Sequence, residues 1–470
     1  MVSQPDDEPT PASAPTPAMA ADTATQPPTR ARRPGRARTV LLLVLAGILS
    51  LGAGAAIGQA TQPGPLPVPA AVPSAPTSAL RTTPDAAEQR ATSLTSLLAA
   101  RSKAVLGRDK DAWLATVDPQ ARDFLAKQAQ AFDNLRDVKF SAFGYEFAGV
   151  APSLTDDRRE ALGGDAWVAR VVATYRLADV DRAPTQSDVF FTSVQRDGRW
   201  YIAADTDGQS TPQPWDLGRV RVVRGDHVLA LGTADAEDLA SYADQGDAAV
   251  KRVSKVWGTR WPQSAVLVVP RNEDEMGKLL GRSDGLDQIA AVTTGEIAGS
   301  DSAGSDRVVI NPSAFSKLGA AGRRVVLTHE MTHVAVRAST TVSVPIWLSE
   351  GFADYVGYQG VELARRTVAA DVLALVRQGE GPTQLPTAED FDPAQTTIAP
   401  SYSAAWLACS LIADRYGQAK LVALYRTAAS NPSDDPDTAL TQALKSVLGT
   451  SDRAFATSWL AYLKTLAAAG

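Results

Sequence analysis

Residues 323–337 read Arg-Arg-Val-Val-Leu-Thr-His-Glu-Met-Thr-His-Val-Ala-Val-Arg, with His329, Glu330 and His333 at the centre. On an α-helix, residues four apart stand one above the other, so His329 and His333 present two imidazoles to one point in space. No Gly or Pro interrupts 323–339, and Val325, Val326, Met331, Val334 and Ala335 supply apolar positions, which predicts a buried helix. Histidine is scarce in this chain: there are three in 470 residues, and two of them fall here. Two imidazoles on one face, with a carboxylate next to the first, make an HExxH motif, in which the pair holds a metal ion and Glu330 stands beside the attacking water. The competing reading is a packed helix whose imidazoles are satisfied by hydrogen bonds.

A carboxylate downstream extends the pattern. Glu350 follows His333 by 17 positions, within Pro-Ile-Trp-Leu-Ser-Glu-Gly-Phe-Ala-Asp-Tyr at 345–355. Two nitrogens and one carboxylate oxygen leave a tetrahedral Zn2+ with one open position, the catalytic rather than the closed structural arrangement. Asp354, one helical turn beyond Glu350, is placed to accept the outer ring N–H of a ligating histidine and so fix its tautomer.

The HExxH motif, the later Glu350 and the wording Trp-Leu-x-Glu-Gly-Phe-Ala-x-Tyr at 347–355 together resemble the gluzincin metallopeptidases of the peptidase MA-like superfamily, most closely the branch that includes aminopeptidase N. The likeness runs from about Trp215 to the C-terminus and is strongest over 308–358. It implies a zincin-type domain in which His329, His333 and Glu350 ligate zinc and Glu330 is the general base. It also implies that Tyr402 donates to the tetrahedral intermediate, with Tyr355 and Tyr358 as further candidates. In such folds an edge strand beside the metal pairs with the substrate backbone, and 290–294 or 308–311 is expected to serve. There are two departures. The spacer between His333 and Glu350 is shorter than in aminopeptidase N relatives, and no Gly-x-Met-Glu-Asn segment lies upstream. The resemblance therefore carries zinc peptidase chemistry and leaves endo- versus exopeptidase specificity open.

The rest of the chain sets this region in context. A 44% hydrophobic content is enough for sizeable cores, and a net charge of −6 with a pI near 5.3 gives no basic footprint for nucleic acid. The single cysteine, Cys409, lies in an apolar helical run and reads as a buried, inert thiol. Residues 1–38 read as a disordered cytoplasmic tail ending in five arginines, and 39–58 as an uncharged transmembrane helix. With no further arginine until Arg81, the charge bias puts everything after 58 outside the cell membrane. A cleaved signal peptide is the alternative for this stretch. Residues 59–84 form a Pro-rich linker.

Folded sequence is expected from 85. Helices at 86–106 and 111–135, then strands at 139–148, 166–177, 187–195 and 199–204, predict an α+β domain over 85–210. By element order it resembles the NTF2-like domains. From 215 to 470 a mixed sheet is expected, with strands at 220–223, 227–231, 266–270, 289–293 and 307–311 and helices at 236–257 and 273–280. Helices at 361–377, 402–416, 418–428, 438–448 and 452–468 follow. His227, beside a turn in an alternating strand, reads as structural. The expected whole is an α+β, membrane-anchored, extracytoplasmic zinc metallopeptidase acting on a peptide or protein. The alternative is a non-catalytic zincin-fold binding or sensor protein in which the first domain holds a ligand.

Overall fold

The computed structural model describes residues 86–151, 154–282, 285–294, 305–392, 398–431 and 435–469. The tail, transmembrane and linker readings at 1–84 lie outside the described residues. So does most of the Gly- and Ser-rich stretch 295–305. Among the described residues no helix is long and apolar enough to cross a membrane.

The first part is α+β in the expected order. Helices α1 (Ala86–Gly107), α2 (Lys110–Leu114) and α3 (Arg122–Asn134) precede strand β1 (Phe140–Val150), helix α4 (Asp156–Leu162) and strands β2 (Ala166–Leu177), β3 (Thr185–Arg196) and β4 (Arg199–Ala204). The strands form an antiparallel meander in sequence order. Two expectations needed correction. The helix predicted over 111–135 is two helices, because Pro119 lacks the N–H that would carry a single helix through. Helix α4 was not foreseen; Thr155 caps its N-terminus and Gly163, at φ 63°, ends it. The β3–β4 hairpin turns on Asp197 and Gly198 at φ 48° and 78°, the left-handed pair a tight turn requires.

The second part opens with α5 (Pro214–Leu217) and a five-stranded mixed sheet: β5 (Arg221–Arg224), β6 (Val228–Gly232), β7 (Ala265–Val268), β8 (Ala291–Thr293) and β9 (Arg307–Ile310), in the order β5-β6-β7-β9-β8. β6, β7 and β9 run parallel, and β5 and β8 are antiparallel additions at the two edges. Helices α6 (Ala236–Trp257) and α7 (Glu273–Leu280) lie between the strands, and α8 (Pro312–Phe315) follows β9. After the sheet come α9 (Ala320–Arg337), which carries the motif, and α10 (Ile346–Gly357), which carries Glu350. The helices α11 (Arg365–Val368), α12 (Ala370–Gln378), α13 (Ala399–Tyr416), α14 (Gln418–Ala428), α15 (Pro436–Ala443) and α16 (Asp452–Ala468) complete the chain. The helix predicted over 361–377 is thus two short helices. The one predicted over 438–448 gives way at Leu444 to a wider π-type turn.

β6, β7 and β9 are buried at every position, so both faces of the sheet are covered. Val228, Ala230, Leu267, Val308 and Ile310 pack with α6, α9 and the later helices. The alternate residues, Leu229, Leu231, Val266, Val268 and Val309, pack with Trp113, Phe143 and Tyr175 of the first part and with Trp215. The first part is therefore the lid on one face of the second part's sheet. Buried Arg307, at the start of β9, grips Asp181 of the β2–β3 loop with two N–H···O bonds of 2.8 and 2.7 Å, a bidentate geometry that fixes orientation as well as distance.

His227 is structural, as read. Its Nδ1 donates to the Gln263 carbonyl at 3.0 Å, and the turn that carries it is held by Asp247 of α6, whose carboxylate accepts the backbone N–H groups of Asp226, His227 and Val228. Cys409 is fully buried, and burial pushes its thiol well above the usual value, which leaves it protonated and unreactive.

Candidate metal centre

Helix α9 is buried from Val325 to Val336, as its apolar content requires. The hydroxyls of Thr328 and Thr332 donate to the carbonyls of Arg324 and Thr328 within the helix, both at 2.7 Å, so neither is left without a partner in the core. Trp257 Nε1 donates to Ser339 Oγ at 2.9 Å and ties the end of α6 to the end of α9.

Across from the motif, α10 is pinned on two sides by glycines. A Cβ at Gly351 would stand 2.3 Å from the Ala405 carbonyl oxygen, and one at Gly357 would stand 3.1 Å from the Val325 carbonyl oxygen. Only a bare Cα lets α10 lie this close to α13, and Gly357 keeps it tight on α9. Glu350, Asp354 and Gly357 fall three and four apart along one ridge, which aims both carboxylates at the motif helix.

The result is a tight, buried cluster. His329 Nε2 and His333 Nε2 are 3.0 Å apart, and Glu350 Oε2 lies 3.3 Å from the first and 3.5 Å from the second. The three side chains can each turn one ligand atom to a common point, as a metal site needs. Glu350 Oε2 is buried and accepts no hydrogen bond among the described residues, which is the condition of a carboxylate oxygen waiting for a cation. Two imidazole nitrogens and one carboxylate oxygen suit Zn2+ with a position left over. The residues present therefore fit the metal.

Asp354 sits where expected: its Oδ1 accepts from His329 Nδ1 at 2.8 Å, leaving Nε2 to face the cluster. Burial opposes a charge on His329, but the Asp354 carboxylate outweighs it and raises the imidazole to about 10. Burial would likewise raise Glu350, and the two imidazoles overcome it and hold the carboxyl below its usual range.

Glu330 is fully buried on α9. Its Oε2 accepts a 2.7 Å hydrogen bond from Thr293 Oγ1, at the end of β8. Nothing in the sequence marks Thr293, since a lone threonine in a strand has no distinguishing pattern. Among the described residues β8 is an edge of the sheet and β9 has a neighbour on each side, so of the two strands considered 290–294 is the one with an unpaired side there.

The three tyrosines separate. Tyr402 is fully buried on α13 with its ring edge-on to Phe391 at 5.1 Å between centroids. Tyr355 donates to Gln418 Oε1 at 3.2 Å, and Tyr358 stacks obliquely on Trp406 at 5.0 Å.

No family model matches the sequence, and no curated protein does. Among solved structures, the chain is similar to a two-domain M1 zinc metallopeptidase bound to L-tryptophan, at 16% identity and a TM-score of 0.32, over 64% of this chain and 61% of that one. It is similar also to an M1 zinc metallopeptidase from Deinococcus radiodurans bound to a Tyr-Ser-Ala substrate, at 17% identity and a TM-score of 0.31, over 63% and 61%. The chain thus spans about three fifths of the solved chains it matches. The side-chain arrangement itself carries the functional reading.

Proposed function

We propose that the protein is a zinc-dependent peptidase of the gluzincin kind, with a zincin-type domain from 215 onward and an NTF2-like domain over 85–210. On the sequence of 30–58, we propose further that it is held in the cell membrane by its N-terminal segment, with these domains on the outer side. The observation that carries the catalytic reading is the buried cluster of His329, His333 and Glu350, with Glu330 held beside it by Thr293.

His329, His333 and Glu350 would hold the ion, and Asp354 orients His329. When bound, zinc supplies Lewis acidity and brings the pKa of a water down toward 7. Glu330 takes the proton from the attacking water and passes it to the leaving amine. Thr293 fixes the plane of that carboxylate, and the free side of β8 offers backbone groups to an extended substrate. Tyr402 is the proposed oxyanion donor. The test is digestion of a mixed peptide library by the full chain, read by mass spectrometry. Cleavage that stops with a chelator and returns with Zn2+ supports the reading, and cleavage indifferent to both rejects it.

Two substitutions examine supporting residues. Thr293→Val removes the hydrogen bond to Glu330, a charge-assisted bond worth about 1.5–3 kcal/mol. The expected result is a kcat roughly 10- to 100-fold lower with KM unchanged, restored by Thr293→Ser; a loss of KM alone would assign Thr293 to substrate binding instead. Tyr402→Phe should lower kcat by roughly 10²–10³ with zinc content unchanged, as removal of an oxyanion donor does. An unaltered kcat would make Tyr402 a packing residue for Phe391.

A further inference from the structure

The first part of the chain, with Trp215 and Asp216 of α5, lines a solvent-open cavity of about 340 Å³ that shares no residue with the metal cluster. Its walls are aromatic, from Trp113, Phe143, Tyr145, Tyr175, Phe191 and Trp215, and Arg101 lines it as well. Arg101 is 1% exposed. Its guanidinium carbon lies 3.3 Å from the Trp113 ring centroid, a close stack that fixes the plane of the charge. Nη1 donates to Thr116 Oγ1 at 2.9 Å and Nη2 donates to Gln128 Oε1, both neutral acceptors. Nε is buried and has no acceptor.

A guanidinium cannot shed its proton, so this is a permanent charge inside an aromatic box. The other buried arginine among the described residues, Arg307, meets the Asp181 carboxylate directly at 2.7 Å. Of the acids at the cavity, Asp205 is engaged by Lys127 at 2.9 Å and Asp216 caps its own short helix through the Gln213 N–H. Asp205 and Asp216 attract the Arg101 guanidinium across the cavity without bonding it directly; a buried charge with no directly bonded counter-charge is costly, and packing alone would be served as well by a methionine. The volume is within the range of small-molecule sites, and the aromatic walls face a polar side made by Lys127, Gln128, Asp205, Asp216 and the 206–213 segment.

We propose that this cavity binds a small organic monocarboxylate with a flat apolar body, its carboxylate on Arg101 and its body against the aromatic walls. A carboxylate supplies a directly bonded counter-charge and an acceptor for Nε, and the rings supply stacking surface. The site stands independently of the peptidase reading, since none of its residues touches the metal cluster.

The test is calorimetric titration of the full chain with a panel of aromatic and medium-chain aliphatic monocarboxylates, each beside its primary amide. The expected result is saturable one-to-one binding of at least one acid, with its amide at least tenfold weaker. Arg101→Met should weaken the acid at least tenfold and bring acid and amide together. Val189→Trp, which fills the cavity and leaves Arg101 in place, should abolish both. If Arg101→Met fails to fold, the acid-to-amide ratio in the native protein and the Val189→Trp result still decide. Absence of binding by every acid, equal binding of acid and amide, or undiminished binding to Val189→Trp would overturn the proposal.

Discussion

Glu330→Gln is expected to lower peptide cleavage by roughly 10²–10⁴ while the protein keeps its full complement of zinc, because general acid–base catalysis contributes about that factor. The amide keeps the shape and the contact: Thr293 Oγ1 can still donate to the side-chain carbonyl oxygen in place of Oε2 at 2.7 Å. What is lost is the capacity to take a proton from water and return it to the leaving amine. That factor corresponds to about 3–5 kcal/mol on the barrier. Because none of the cluster atoms belongs to Glu330, zinc stoichiometry should stay at the wild-type value. The paired measurement is metal content by mass spectrometry and the rate on the best-cleaved library peptide. Retention of zinc with an unaltered rate would remove Glu330 from the mechanism and favour a non-catalytic binding protein. Loss of zinc together with rate would show that Glu330 helps hold the site.

The parts of the structure legible in advance are those governed by local periodicity. His329 and His333 are four apart on one helix, and Glu350 and Asp354 are four apart on another, so each pair could be assigned to a face before the helices were placed. All three strands β6, β7 and β9 were placed as strands in advance, but that every position of each is covered on both faces is seen only in the structure. Which elements supply the cover was not legible, because the contacts join distant segments. Arg307 meets Asp181 across 126 residues, and Thr293 meets Glu330 across 37. Gly351 shows the intermediate case. Its place beside Glu350 is visible in sequence, but the reason for it, the Ala405 carbonyl where a Cβ would go, depends on α13 more than 50 residues later. The splitting of 111–135 was in principle readable from Pro119, and the amphipathic content on either side masked it.

The second large effect concerns the ligands themselves. His333→Ala removes one of three donor atoms, leaving two that cannot hold Zn2+ against a chelator, so both zinc and cleavage should be lost together. Stability provides an independent readout. A metal that binds only the folded chain stabilises it by about 4 kcal/mol when free metal is a thousandfold above Kd. Wild-type protein should therefore show a lower denaturation midpoint after chelation, and His333→Ala should show no such shift, since it has no metal to lose. The substitution also opens a small gap beside His329 and Glu350, at His333, which is 4% exposed, so some lowering of the midpoint common to both conditions is expected. The difference between the two chelator shifts isolates the metal from that packing loss, as in a double-mutant cycle. Equal chelator shifts in the two proteins would mean that the stabilising metal sits elsewhere, and the buried approach of Glu350 Oε2 to the two imidazoles, at 3.3 and 3.5 Å, would then be a hydrogen-bonded core cluster and nothing more.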